Sequence, residues 1–260
     1  MVFHVRKDND MTVFGIRRSL CAALSGAVLI LSGCGGGGGS ADVPAQAAGT
    51  VHGTVVASST GADLAGVAVV VAGHSTVTAA DGSYTLTAVP AGDGQVVTYS
   101  LAGYAKGVVP VSVTSGAVAQ ASARLTPVSA SQTVDATSGG VIGVAGSPAQ
   151  VTLPAGGLVS ASGAAATGPV RVELTVIDPA SDPANMPGNY TAQTAGGGTA
   201  QIESFGALQV TLTDASGASL NLASGKTATI RIPLSSRSAV PPATVPLFYL
   251  NETTGLWVQE

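Results

Sequence analysis

Few side chains after residue 33 are equipped for chemistry, and their spacing narrows what that chemistry is. His52 and His74 are the histidines of this stretch, and neither sits in a His-Glu-x-x-His or His-x-x-Glu arrangement. That spacing is what sets two ligands on one face around zinc, so the pair reads as solvated or turn-bonded histidine rather than a metal site. Serines are plentiful, but none lies in a Gly-x-Ser-x-Gly elbow, and hydroxyls on the wet face of strands account for them. The glycine runs 35–39 and 196–198 are followed by no Lys-Ser/Thr, so no phosphate cradle is expected. Asp178-Pro-Ala-Ser-Asp182 places two carboxylates in one loop, a weak calcium candidate, because such a site needs about six oxygens and no repeat supplies them. The alternative for Asp178 and Asp182 is turn formation. Among the aromatics, Tyr190 and Trp257 are the candidates for stacking against a ligand such as a glycan, with packing in the core as the alternative for the set. No cofactor is implied.

The cysteines point elsewhere. Leu31-Ser32-Gly33-Cys34 closes an apolar run of 12 residues, 20–31, preceded by Arg17 and Arg18. A positive n-region, a short h-region and small residues before a Cys resemble the processing site of a bacterial lipoprotein; the run is too short for a helix spanning a bilayer, about 20 residues. The resemblance implies acylation at Cys34 and loss of 1–33 as a signal peptide, with Met11 an alternative start. Residues 34–48 are then the acylated Cys and a glycine-rich tether, holding the first domain on the order of 20 Å from the membrane. Gly35 rather than Asp after the Cys implies the outer membrane under lipoprotein sorting rules. Since Cys21 lies in the h-region, the mature chain has no disulfide and no thiol nucleophile.

Charge restricts partners. After residue 33 there are six cations (Lys106, Arg124, Arg171, Lys226, Arg231 and Arg237) against twelve acids, a balance of −6. That leaves no basic patch for a nucleic acid.

The elements expected to position these residues are strands. Val/Thr-rich runs recur every 8–12 residues between Gly, Pro, Asp and Ser, which predicts an all-β protein with two tandem β-sandwich domains, 49–126 and 130–260. The first is read as strands at 50–57, 67–72, 75–79, 83–88, 95–100, 108–113 and 118–125, with Asp81-Gly82 as a hairpin turn. A polar junction is expected at 127–138. The second is read as strands at 140–144, 149–153, 170–177, 207–213, 219–222, 228–233 and 247–251. Val170, Val172, Leu174 and Val176 share one face, opposite Arg171, Glu173 and Thr175. The loop at 178–193 is long enough to carry function. The chain stops at Glu260 inside an apparent strand, which suggests a fragment whose last strand would leave an unpaired edge.

Gly53, Val55, Gly61, Leu64, Gly66, Val67, Asp81-Gly82-Ser83-Tyr84-Thr85-Leu86, Val89-Pro90-Ala91-Gly92 and Gly103-Tyr104 resemble a carboxypeptidase regulatory-like domain. That family implies a transthyretin-like β-sandwich, grouped with carbohydrate-binding-like folds, without catalytic residues of its own. Thr152 to Gly156, Ile177 to Pro179, Ser204 to Ala207 and Pro246 to Trp257 are similar to a β-rich ectodomain of bacterial surface proteins and of cartilage-intermediate-layer and FAM171-type extracellular proteins. The expected function is a non-catalytic, membrane-anchored surface lipoprotein for adhesion or scaffolding, bound to the membrane through its lipid and to a glycan or another surface protein. A carbohydrate-binding module acting on glycan or cell-wall polymer is the alternative, and an enzyme accessory protein a distant third.

Overall fold

A computed structural model describes residues 2–6, 47–194, 197–235, 240 and 243–260. Leu31, Ser32, Gly33 and Cys34 lie outside the described residues, as does the tether up to residue 46. The described chain is all-β, with one short 3-10 turn. The first strand, Val2–Arg6 (β1), pairs antiparallel with Thr227–Arg231 over its whole length. Val2–Arg6 lies within the segment expected to be cut off at Cys34; while present it covers the edge amides and carbonyls of Thr227–Arg231, and without it that edge is open.

The first unit contains Ala48–Ala57 (β2), Ala68–Val71 (β3), His74–Val77 (β4), Ser83–Pro90 (β5), Gly92–Ser100 (β6), Gly107–Val113 (β7), Val118–Gln120 (β8) and Ala123–Leu125 (β9). They form two four-stranded sheets, β5-β2-β8 with β9 also on β2, and β4-β3-β6-β7. Alternation explains why they stack. In β2 the buried residues include Val51, Val55 and Ala57, and in β5 Tyr84, Leu86 and Val89, all turned into one apolar cluster with Val97, Tyr99 and Leu125. Each fully buried Val or Leu of this kind is worth about 1.5–3 kcal/mol. Two expectations change. Asp81-Gly82 is not a hairpin within one sheet, because β4 and β5 belong to different sheets, so the turn carries the chain across the sandwich. Gly82 is held at φ 70°, and a Cβ there would meet the Val55 carbonyl at 2.5 Å.

The expected single strand at 118–125 is also broken, between β8 and β9. At the break the Ala121 carbonyl turns inward to two buried hydroxyls. Tyr99 donates to it at 2.7 Å, the Tyr84 hydroxyl lies against it as well, and the two hydroxyls are 2.8 Å apart. Two phenolic protons cannot make all three contacts into hydrogen bonds at once, so the donors share them. Burial pushes both phenols above their usual range, and at Tyr99 the neighbouring Tyr84 adds to the rise. Gly53 makes room for this arrangement, since a Cβ there would lie 2.0 Å from the Ala121 oxygen.

The second unit contains Ala130–Asp135 (β10), Gly140–Gly143 (β11), Gln150–Leu153 (β12), Leu158–Ser160 (β13), Pro169–Ile177 (β14), Thr191–Gln193 (β15), Thr199–Gln201 (β16), Ala207–Thr213 (β17), Leu220–Leu222 (β18), Thr227–Arg231 (β19), Phe248–Asn251 (β20) and Leu256–Gln259 (β21). Its sheets run β1-β19-β12-β11, β10-β14-β17, β13-β18 and β16-β15-β21-β20. The core faces are those of alternation: Val170, Val172 and Leu174 in β14 meet Leu208, Val210 and Leu212 in β17. The expected polar junction contains β10, a largely exposed edge strand in full register with β14. What truly connects the units is short and pinned on both sides, with Val128 N donating to Gly103 O and Ser129 N to Leu174 O. The last strand, β21, has no open flank of the kind expected: β20 pairs with it antiparallel on one side, and β15 pairs parallel on the other, through Ala192 and Gln193.

Candidate functional site

The two units meet along β7. It is the last strand of its sheet, so its outer backbone groups are available, and Gly188 N donates to Val108 O at 2.8 Å. Val108 points away from its own core and packs with Ile177, Met186, Ala192, Leu250 and Trp257 in a third apolar cluster that belongs to both units. Two ion pairs cross the seam. Lys106 Nζ donates to the buried Glu252, and Arg124 Nη2 lies 3.5 Å from Asp182 Oδ2 while also donating to Ser58 O at 3.3 Å. Gly255, at φ 68°, closes against the other unit so tightly that a Cβ would lie 2.6 Å from Pro110 Cγ.

Within this seam is a cavity of about 340 Å³. Val108, Ile177 and Met186 give it apolar walls, while Ser122, Asn185 and Gln209 line it with neutral polar groups, and Lys106 and Arg124 supply cations. Gln209 sits in β17 between Leu208 and Val210, so alternation turns it out of the second unit's core and toward the seam. It is 3% exposed, and its Oε1 has no hydrogen-bond partner among the described residues. Asn185 ends the 3-10 turn Pro183–Asn185, and its Oδ1 is likewise buried and unpartnered among them. Each such orphan costs about 1–3 kcal/mol, which in folded proteins marks a place for water or a ligand.

Of the residues singled out in the sequence, Tyr190 comes to this cavity and Trp257 does not serve as a platform. Tyr190 lines the wall, its hydroxyl donating to Pro183 O at 2.9 Å, and its backbone is held at φ 58°, a conformation that costs a non-glycine residue energy. Trp257, named with Tyr190 for ligand binding, is 4% exposed and packs in the shared apolar cluster, which covers the face of the sheet it points from. The loop at 178–193 was rightly read as long, but it is built: it holds the 3-10 turn and β15 and forms one side of the seam. Asp178 and Asp182 are engaged in making it. Asp178 Oδ1 accepts from Ala180 N at 3.0 Å, from Ser181 N at 3.2 Å and from Ser235 Oγ. Asp182 Oδ1 caps the 3-10 turn by accepting from Ala184 N at 2.9 Å, and its other oxygen faces Arg124. Both carboxylates thus take part in building the loop. His52 Nδ1 lies 3.1 Å from Thr85 Oγ1 on the far sheet of the first unit.

Asn185, Gln209, Lys106 and Arg124 were not foreseen as site residues. A carboxamide on a strand carries no sequence signal of its own. Nor do Lys106 and Arg124, 18 residues apart, form any motif in the sequence.

Residues 50–126 match the carboxypeptidase regulatory-like domain family, in agreement with the β-sandwich seen there. No curated protein is similar enough to the chain to count as a relative. Among solved structures, the Bacillus anthracis TIE protein is similar at 13% identity over 82% of this chain and 34% of its own, with a TM-score of 0.29. The chain therefore spans about a third of that protein's length. A protein from Bacteroides fragilis provisionally described as membrane-associated, of unknown function, aligns at 12% identity over 74% of this chain and 100% of its own, TM-score 0.26. One from Bacteroides uniformis provisionally described as carbohydrate-binding aligns at 12% identity over 72% of this chain and 98% of its own, TM-score 0.25. At these scores the likenesses fix neither a ligand nor an arrangement of units.

Proposed function

We propose that the chain is a non-catalytic lipoprotein of the bacterial cell envelope, tethered through Cys34, whose two β units form one binding body with the cavity at their seam as its ligand-facing feature. The observation that carries the reading is that cavity, lined from both units and holding two buried carboxamide oxygens without partners among the described residues. The non-catalytic part of the reading rests on the sequence, which holds no Gly-x-Ser-x-Gly elbow and no His-Glu-x-x-His pair. The anchor rests on Leu31-Ser32-Gly33-Cys34 after an apolar run, and the low charge of the mature chain suits a polysaccharide or protein partner at a surface rather than nucleic acid.

The anchor is tested by expressing the full chain in a Gram-negative host with labelled palmitate and separating the membranes. The wild-type chain should take up label and follow the outer membrane, and Cys34→Ala should lose the label. Label that persists in Cys34→Ala, or a wild-type chain left unlabelled, would refute the assignment.

A further inference from the structure

We infer that the cavity between the units binds a neutral polyhydroxylated molecule the size of a small sugar, held by Gln209 and Asn185 against Tyr190. The inference deepens the binding role proposed above and rests on it. Size comes first. At about 340 Å³ the cavity falls at the small end of small-molecule sites, about 300–1,000 Å³.

Charge comes next. Both cations at the cavity face acids that stand outside its lining, Lys106 against Glu252 and Arg124 against Asp182, which offsets their charge and favours a neutral ligand over an anion. The remaining polar groups are a hydroxyl at Ser122 and carboxamides at Asn185 and Gln209, each able to donate as well as accept. A carboxamide exchanges its oxygen and nitrogen by turning one soft terminal torsion, so Gln209 can present whichever end a ligand requires. Hydroxyl groups are the complementary partners, because each also donates and accepts. Val108, Met186 and the Tyr190 ring supply apolar surface for the C–H face of such a molecule. The hydrogen bond from the Tyr190 hydroxyl to Pro183 O holds that ring on the wall before anything binds.

Full-length protein in detergent would be titrated calorimetrically with D-glucose, D-galactose, N-acetyl-D-glucosamine and myo-inositol, and with the charged analogues D-glucuronate and D-glucosamine. At least one neutral member should bind in the range of about 0.1–10 mM, which suits a ligand of this size. Gln209→Leu should weaken that binding at least tenfold while leaving the melting temperature unchanged or higher, since it removes an unpaired buried polar group. Asn185→Ala, in a surface turn, and Tyr190→Ala should each weaken it as well, and Asn185→Ala serves should Gln209→Leu fail to fold. No binding by any neutral member overturns the inference, and so does full binding in Gln209→Leu or Asn185→Ala. A charged analogue that binds more tightly than every neutral one, and loses that on Gln209→Leu, overturns the ligand class but leaves the cavity as a binding site. Neither result bears on the palmitate label, so the anchor stands or falls separately.

Discussion

The seam between the units can be broken at one bond. Lys106→Met keeps most of the side chain's bulk and removes its charge, leaving the Glu252 carboxylate without its cation. The Glu252 side chain is 7% exposed and that of Lys106 is 39% exposed, so the pair lies between two known limits. Breaking a fully buried pair by removing one partner costs about 3–5 kcal/mol, whereas an exposed pair is worth about 0–1 kcal/mol. Water reaches the lysine end but hardly the carboxylate, so the cost should fall near 2 kcal/mol, within the reach of urea unfolding followed by tryptophan fluorescence. Trp257 is the single tryptophan and lies in the apolar cluster at the seam, so its emission reports the region directly. Glu252→Gln should rescue much of the loss, leaving Lys106→Met/Glu252→Gln within about 1 kcal/mol of wild type and a coupling of at least about 1 kcal/mol. Either of two results would refute the reasoning: Lys106→Met within about 0.5 kcal/mol of wild type, or a double variant no more stable than Lys106→Met alone.

Three further outcomes are expected. Tyr84→Phe or Tyr99→Phe should each cost about 1 kcal/mol, because the other hydroxyl still reaches Ala121 O, while the double variant should cost more than the sum by stranding a buried carbonyl, as chemical denaturation of all three would show. Asp81, Asp135 and Asp214 are each held below the usual carboxylate range, first by the hydroxyl of Ser83, Thr137 or Ser216 two residues on. A lowered folded pKa gives stability that is present above about pH 4 and lost as pH falls through the folded value, so the melting temperature should drop on acidification below about pH 4, and less steeply when all three are Asn. Adding EDTA should leave the melting temperature unchanged, since Asp178 and Asp182 are occupied by backbone amides, Ser235 and Arg124; a fall of several degrees would restore calcium as a reading.

Alternation made the two cores readable from sequence, and its limits explain what was missed. In Pro169–Ile177 it correctly assigns Val170, Val172 and Leu174 to the inside. It cannot say what covers the other face. Thr175, read as wet, is 2% exposed, and its cross-strand neighbour Gln209 is 3% exposed, because the seam is built over that end of the sheet. Ala130–Asp135 escaped notice for the opposite reason. Edge strands tolerate Ser131, Gln132 and Thr133 on the surface, so their composition is that of a linker. Asp81-Gly82 has the residues of a hairpin, and local turn chemistry is the same whether the following strand returns to its neighbour or crosses to the opposite sheet. Trp257 carries no sign in the sequence of what packs on its face of the sheet, here Val108 of the other unit and Met186 of the loop.

The same limit bears on what the family match can carry. Residues 50–126 account for the first sandwich, yet the cavity takes Lys106, Ser122 and Arg124 from that unit and Asn185, Tyr190 and Gln209 from the other. A site divided in this way exists only while the seam is closed, so any ligand held there must favour the docked arrangement, and weakening the seam lowers affinity in proportion to the fraction of molecules it opens. Gly255 offers the cleanest separation of the two, because it contacts Pro110 and lies outside the cavity lining. Gly255→Ala strains a positive φ and pushes on Pro110, and should lower the affinity for the neutral ligand without touching a group that holds it. An affinity unchanged in Gly255→Ala, with Trp257 emission reporting an opened seam, would mean that the site belongs to one unit after all.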